Sequence, residues 1–513
     1  MQVSRSYGIW FQVGGFALLS VVYLFWTWSH VLGDYGGDNA VYLFMAQYYS
    51  PWGGYSELAA MYASLSQFPP LYPFLLGLFH AGGNILVAHI VTTGFLLLAL
   101  VAFYFWLRAF GLSALLASVT TLLFALLPGT YFQALSIHSE NLYLLLSLVC
   151  LAATARAESD GRDHWLWVAA IAVAGTTLTR SAGISLLAAF TVYLILNRGI
   201  GGWRLMLAAA APMALWSLVG GQLQHGYLSV LKDNYGSGLL GALAEQLYVG
   251  AHMIWYGWYS NFTTSPVGVP VMAVIGVVCL AGMAHRLYLR KLDGFYVLFY
   301  LLMIIAWPFP AESQRLMFVV VPILMVQGMA LVKDQIRPRV RGHALDLSLL
   351  MYVPALVLIA MPALALAVAR FVQPLPEPFA EYKYTVYWYS ADPYAAYVTI
   401  MSDSRFAESL RGIPGVVPEG GCIYSTKPAI VSLYSNRLSI PPPREAVSDQ
   451  EFHELLRGTN CQYFHLAAYA SPTFGTPYYP AERLRGSLKV LRATYFPGSG
   501  VRYVALLAEL IRK

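Results

Sequence analysis

The sequence predicts a polytopic α-helical membrane protein with a small C-terminal α/β domain, and three observations lead there. Of 513 residues, 58% are hydrophobic and 11% are charged, with a mean hydropathy of +0.58, whereas a soluble globular chain carries about 25% charged residues. The apolar residues come in separate runs of roughly 15 to 23, and most can cross about 30 Å of hydrocarbon at about 1.5 Å per residue. Lipid offers no partner to an unpaired backbone amide, so these runs must be helices. The third observation is charge sorting: of 31 Lys and Arg, thirteen fall in one alternating set of short loops, three in the other and fifteen in the C-terminal segment. The net charge of +6 and the pI near 8.9 therefore report topology, and no nucleic-acid patch is expected.

Spans are expected near residues 9–30, 85–107, 112–129, 140–155, 165–179, 182–197, 203–221, 268–285, 294–308, 316–332 and 347–369, eleven in all. The first follows Arg5, and the run from Ile9 to His30 has no small-residue cleavage pattern, so it reads as an uncleaved span. With the N-terminus in the cytoplasm, the cytoplasmic loops carry Arg108; Arg156 and Arg162; Arg198 and Arg204; Arg286, Arg290 and Lys291; and Lys333, Arg337, Arg339 and Arg341. This obeys the positive-inside rule. Residues 1–370 are then a transmembrane core with outer loops 31–84, 128–140 and 222–267. Residues 371–513 lie on the extracytoplasmic face of a multi-pass cell membrane. Within 222–267, Trp255-Tyr256-Gly257-Trp258-Tyr259 suits an interfacial anchor; the sharper reading is a sugar-stacking platform.

From about Gln373 the apolar runs shorten, and charges and prolines increase. Cys422–Ser425, Cys461–Ala467, Ser487–Tyr495 and Val501–Ala508 read as short strands, and Lys427–Ser435 and Asp449–Arg457 as helices between them. Four cysteines are too few for a disulfide scaffold. Cys150 and Cys279 sit in apolar runs as inert core residues, while Cys422 and Cys461 could pair if their segment lies outside the cytoplasm.

The loop from Gly33 to Pro73 contains acids but no lysine or arginine. It opens Gly33-Asp34-Tyr35-Gly36-Gly37-Asp38-Asn39-Ala40-Val41-Tyr42 and closes Phe68-Pro69-Pro70-Leu71-Tyr72-Pro73. The glycines allow a tight turn before Asp38, and Ala40–Tyr49 reads as a short helix along the membrane surface, which places an acid at the positive end of a helix dipole. A plain helix cap would also explain Asp38. Before the fourth span stands Ser136-Ile137-His138-Ser139-Glu140-Asn141, where Ser139 could cap the helix and Glu140 sit in its first turn. Alternatively, His138 and Glu140 contact sugar hydroxyls, phosphate or a metal. Arg180, in Leu178-Thr179-Arg180-Ser181, could snorkel to the interface or bind a lipid-linked phosphate. Arg315, before the tenth span, could do the same or simply pair with Glu312.

Taken in order, these motifs resemble the GT-C superfamily of polyprenyl-phosphate-sugar glycosyltransferases, most of all its protein mannosyltransferase and aminoarabinose transferase branch. The resemblance covers the layout of roughly residues 30 to 330. It implies inverting transfer of a sugar from an undecaprenyl or dolichyl phosphate donor to a hydroxyl of an extracytoplasmic lipid, glycan or protein, with membrane lipids around the core. The family's first-loop aspartate maps onto Asp38 as base. Members often carry a second acid beside it, where this chain has Asn39, so Glu140, Glu57 and Asp34 are the candidate helpers. Arg180, Arg315 and His138 would hold the departing phosphate, with Tyr42 and Tyr72 as further substrate contacts. No tightly bound metal is expected, although a divalent cation, Mg or Mn, could bridge phosphate and Asp38. A transporter or flippase of lipid-linked sugars, or a glycan ligase, is the alternative. A transporter would be expected to show paired repeats and broken helices polar at mid-membrane, and neither is evident.

Overall fold

The computed structural model describes residues 2–219, 239–263, 265–307, 309–336, 344–375, 379–380, 392–444, 447–469, 474–496, 499 and 502–511. Arg337, Arg339, Arg341, Val501 and the 222–238 part of the expected outer loop lie outside them. The chain forms two compact units. One comprises Met1–Trp28, Gln67–Tyr72 and His89–Ala369; the other comprises Ser29–Ser66, Pro73–Ala88 and Arg370–Lys513.

The first unit is built of apolar helices. By length and composition alone, four runs among the described residues could cross a membrane: Ile85–Ala109, Glu140–Asp160, Gly183–Leu218 and Gly268–Tyr288. A fifth arises if Ala114–Ala125 and Pro128–Ala134, bent by 63°, are one span. Shorter apolar helices include Val13–Trp26, His164–Thr179, Leu292–Ile305 and Leu358–Val372. The bend falls at Leu126 and Leu127, just before Pro128, whose ring suits a first helical position but could not continue the preceding helix.

Within the segment read as an outer loop, Leu239–Ser260 is a 22-residue helix. Gly250 and Gly257, seven residues apart and so on one face, let it pack closely. A Cβ would meet the Ile305 backbone at 2.6 Å from the first and the Ser313 carbonyl at 2.4 Å from the second. The aromatic cluster is divided by its faces. Trp258 is buried, with its indole N–H donating to the Met272 carbonyl at 2.9 Å, while Tyr256 is exposed. The cluster is therefore not one continuous stacking platform.

The second unit joins the first-loop helices Asp38–Tyr48 and Glu57–Leu65 to the C-terminal segment. Its sheet comprises β1 Cys422–Ser425, β2 Leu438–Ile440, β3 Tyr463–Ala467, β4 Leu488–Tyr495 and β5 Tyr503–Leu510, in the order β2-β1-β3-β5-β4. The β1 strand pairs in parallel with β2 and β3, and β5 pairs antiparallel with β3 and β4. Helices Pro428–Ser435 and Asp449–Arg457 connect strands as the sequence suggests, while β2 and helix Pro393–Arg411 are additions to that reading. Cys422 and Cys461 form a disulfide, and Cys150 and Cys279 are free and buried.

Candidate functional site

In the first unit, helix His164–Thr179 stops at Arg180, whose backbone is extended (φ −150°, ψ 147°) before the next helix begins at Gly183. This break turns the guanidinium inward. Its Nη1 lies 2.5 Å from Glu140 Oε1 and donates to Ser139 Oγ at 3.2 Å. Arg315, on the short helix Ser313–Phe318, donates through Nε to the same Glu140 oxygen and pairs through Nη1 with Glu312 at 3.0 Å. Glu140 is 1% exposed, and the two arginine side chains 10% and 14%. His138, also buried, interacts electrostatically with the Glu140 carboxylate. Three of the sequence candidates, Arg180, Arg315 and His138, thus meet at a fourth, Glu140.

A buried carboxylate with two guanidiniums is tolerable only because the charges are matched and hydrogen-bonded. Two tyrosines brace the segments that carry the arginines. The Tyr143 hydroxyl donates to the Ala182 carbonyl at 3.2 Å, in the turn after Arg180, and the Tyr300 hydroxyl to the Leu316 carbonyl at 3.0 Å, beside Arg315. Tyr296 and Ser147 extend this polar ladder at 3.1 Å per step. Ser139 does not cap its helix, as the sequence suggested; its hydroxyl accepts from Arg180 instead. Glu312 is indeed paired with Arg315, but it is 41% exposed, so that ion pair contributes little, about 0–1 kcal/mol. Tyr72 is fully buried, with its hydroxyl 2.8 Å from that of Thr92.

Asp34, Asp38, Tyr42 and Glu57 belong to the second unit. Gly37, at φ +113°, is the residue from which helix Asp38–Tyr48 starts, a conformation open to glycine, so Asp38 is the first helical residue. Asp34 closes the turn before it: its Oδ1 accepts from the Gly36 amide at 2.6 Å, and its carbonyl accepts from Asn39 Nδ2 at 3.0 Å. Asn39 is thereby a brace for the turn. Tyr42 is buried, whereas Glu57 is exposed in the first turn of Glu57–Leu65.

Among the described residues no three His, Cys, Asp or Glu side chains are grouped as a metal site. Glu140 is already matched by two cations, and Asp34 Oδ1 accepts from a backbone amide. The Asn261-Phe262-Thr263 sequon is buried, and Asn261 Nδ2 donates to the Gly257 and Gln314 carbonyls at 2.6 and 3.0 Å. Asn261 is a buried structural residue.

No protein-family model and no curated protein matches the chain. Solved structures do. ArnT from Cupriavidus metallidurans in the apo state is 13% identical with a TM-score of 0.52, covering 99% of this chain and 98% of ArnT. ArnT bound to undecaprenyl phosphate is 14% identical with a TM-score of 0.52, covering 97% of each chain. AglB from Archaeoglobus fulgidus, in complex with an inhibitory peptide and a dolichol-phosphate, is 13% identical with a TM-score of 0.47, covering 89% of this chain and 69% of AglB. The ArnT likeness runs through nearly the whole of both chains, which therefore share a fold.

Proposed function

We propose that this protein is an inverting glycosyltransferase that moves a sugar from a polyprenyl phosphate, undecaprenyl or dolichyl, to a hydroxyl of an extracytoplasmic lipid, glycan or protein. The observation that carries the reading is the meeting of Arg180 and Arg315 at buried Glu140 within apolar helices. Guanidiniums held in fixed orientation suit the oxygens of a phosphate whose lipid tail lies among such helices. Undecaprenyl phosphate in the ArnT structure of the same fold supports this donor class.

In the proposed reaction Asp38 accepts the proton of the acceptor hydroxyl, whose oxygen attacks the anomeric carbon from the side opposite the phosphate. The bond from that carbon to the phosphate oxygen breaks, and its electron pair leaves with the lipid phosphate. Arg180 and Arg315, with His138 beside Glu140, stabilise the departing charge. Glu140 serves to hold both arginines. Of the two remaining helper acids, Asp34 braces the Asp38 turn and exposed Glu57 has no assigned step. Tyr42 and Tyr72 are proposed as further substrate contacts.

We further propose eleven spans with a cytoplasmic N-terminus and residues 371–513 outside the cytoplasm. The Cys422–Cys461 disulfide supports that placement, because disulfides persist in oxidising compartments. In intact cells these thiols should react with an impermeant maleimide only after treatment with an impermeant reductant; no labelling after that treatment, with labelling once the membrane is permeabilised, would contradict the placement.

The test is transfer of radiolabelled sugar from a panel of polyprenyl-phosphate sugars by membranes containing equal amounts of native chain or Asp38→Asn. The native chain should consume a donor, and the variant should be at least about a hundredfold slower, a loss of about 2.7 kcal/mol of barrier stabilisation. A native chain that consumes no donor, or carries one across the bilayer unchanged, would overturn the enzyme reading. A fully active Asp38→Asn would overturn the assignment of the base.

A further inference from the structure

The second unit buries a carboxyl that the proposed reaction does not use. Helix Pro393–Arg411 turns Ala396, Ile400, Asp403, Ala407 and Leu410 inward at three- and four-residue intervals, so Asp403 occupies a core position, 1% exposed. Its Oδ1 accepts from the Tyr469 hydroxyl at 2.6 Å, and its Oδ2 has no hydrogen-bond partner among the described residues. Phe406, one turn on, packs edge-to-face on Tyr35 of the first loop (5.4 Å between centroids) and on Tyr469 (4.8 Å). Lys427 Nζ reaches the Gly36 carbonyl at 3.4 Å. Asp34, which closes the turn before Asp38, acts electrostatically on Asp403.

We propose that Asp403 is a positioning residue for the Asp38 loop, acting as an uncharged carboxylic acid beside Asp34. Two carboxylates in one buried core do not both ionise readily, because each penalises the other's charge and burial penalises both. Asp403 is the one to stay protonated. Burial pushes its carboxyl up to about 7, the Asp34 charge adds to the rise, and the Tyr469 hydrogen bond opposes it. The other ionisable groups around this core include His465, Arg405, Glu408, Lys427 and, beside Gly412 at the end of the same helix, Arg492. Burial lowers His465 to about 4, so it is neutral, and its Nε2 lies 3.0 Å from Ser409 Oγ. Arg405 is paired with Glu408 at 2.6 Å, and Lys427 is engaged at Gly36. When Asp403 ionises, it repels Asp34, opens the turn that Asp34 closes on Gly36 and releases the start of the helix that presents Asp38.

This inference rests on Asp38 being the base, and its test has one readout that does not. The first readout is transfer activity against pH for native chain, Asp403→Asn and Tyr469→Phe. The uncharged fraction of a group titrating at about 7 falls about eightfold between pH 6.5 and 8. Native activity should fall by a similar factor, Asp403→Asn should lose that alkaline limb while staying active at pH 6.5, and Tyr469→Phe should move its midpoint to higher pH. The second readout is amide hydrogen exchange at residues 36–39 of the purified full chain, corrected for the intrinsic pH dependence of exchange. Protection should decline over the same range in the native chain and stay level in Asp403→Asn. An Asp403→Asn variant that keeps the native alkaline limb and the native loss of protection overturns the proposal, as does an unmoved midpoint in Tyr469→Phe. An inactive native chain whose exchange still follows Asp403 places the failure in the transferase reading alone.

Discussion

Glu140 and Asp403 are each 1% exposed, and the protein keeps these two carboxyls inside by opposite means. Glu140, among apolar helices, is matched by Arg180 and Arg315. Asp403, in the unit with the sheet, has one phenol donor and a like-charged neighbour, and its carboxyl is pushed up to about 7 by burial above all. On the proposed reading, the first arrangement leaves guanidiniums in place for an anion, and the second leaves a proton that pH can remove. A buried acid therefore becomes a charge-holder or a titrating brace according to what surrounds it.

Removing the charge-holder should have the largest effect. Glu140→Leu leaves two buried guanidiniums without their shared carboxylate and is expected to cost about 3–5 kcal/mol, read from thermal unfolding in detergent. A loss below about 1 kcal/mol would mean that other partners already neutralise the arginines. Next come Arg180→Lys and Arg315→Lys. An ammonium is a point charge that cannot bridge Ser139, Glu140 and a phosphate in the same way, so kcat/KM should fall by about tenfold to a hundredfold, about 1.4–2.7 kcal/mol. Unchanged kcat/KM would reduce the pair to a structural salt bridge.

Asp403→Asn sharpens the other side of the comparison. The carboxyl is raised from 3.8 to about 7, so the folded state binds more protons than the unfolded one between those values. The stability it contributes is fully present below about 4 and is lost as pH rises through about 7. The stability difference between native chain and variant should therefore move in the variant's favour from pH 5 to pH 8, measured by denaturant unfolding. A difference independent of pH would mean that Asp403 does not titrate there. The smallest effect is expected from Tyr300→Phe, which removes one hydroxyl from the Leu316 carbonyl at a cost of about 1 kcal/mol in the same unfolding measurement.

Much of this was legible in the sequence where local pattern dictates structure. The helix break at Arg180 follows from a polar Thr-Arg-Ser turn between apolar runs, and β1, β3 and β4 follow from short apolar stretches between turn residues. The Asp38 helix start was signalled by Gly36 and Gly37. What was not legible depends on packing between distant residues. Glu140 meets an arginine 40 positions away and another 175 away, and nothing in local spacing says that one carboxylate will engage both. The Leu239–Ser260 helix was not legible either; its Gly250 and Gly257 approach the distant Ile305 and Ser313 closely. Asp403 did leave a signal: it stands at an inward position of the Ala396, Ile400, Ala407, Leu410 stripe, where an acid is out of place unless partnered or protonated.

The most direct test of the central claim, that Arg180 and Arg315 form the phosphate site, is native mass spectrometry of the purified full chain titrated with undecaprenyl phosphate and, separately, with the uncharged polyprenol. Arg180→Gln and Arg315→Gln should each weaken phosphate binding by at least about tenfold, about 1.4 kcal/mol, and leave polyprenol binding unchanged. Equal phosphate affinity in native chain and both variants would contradict the account.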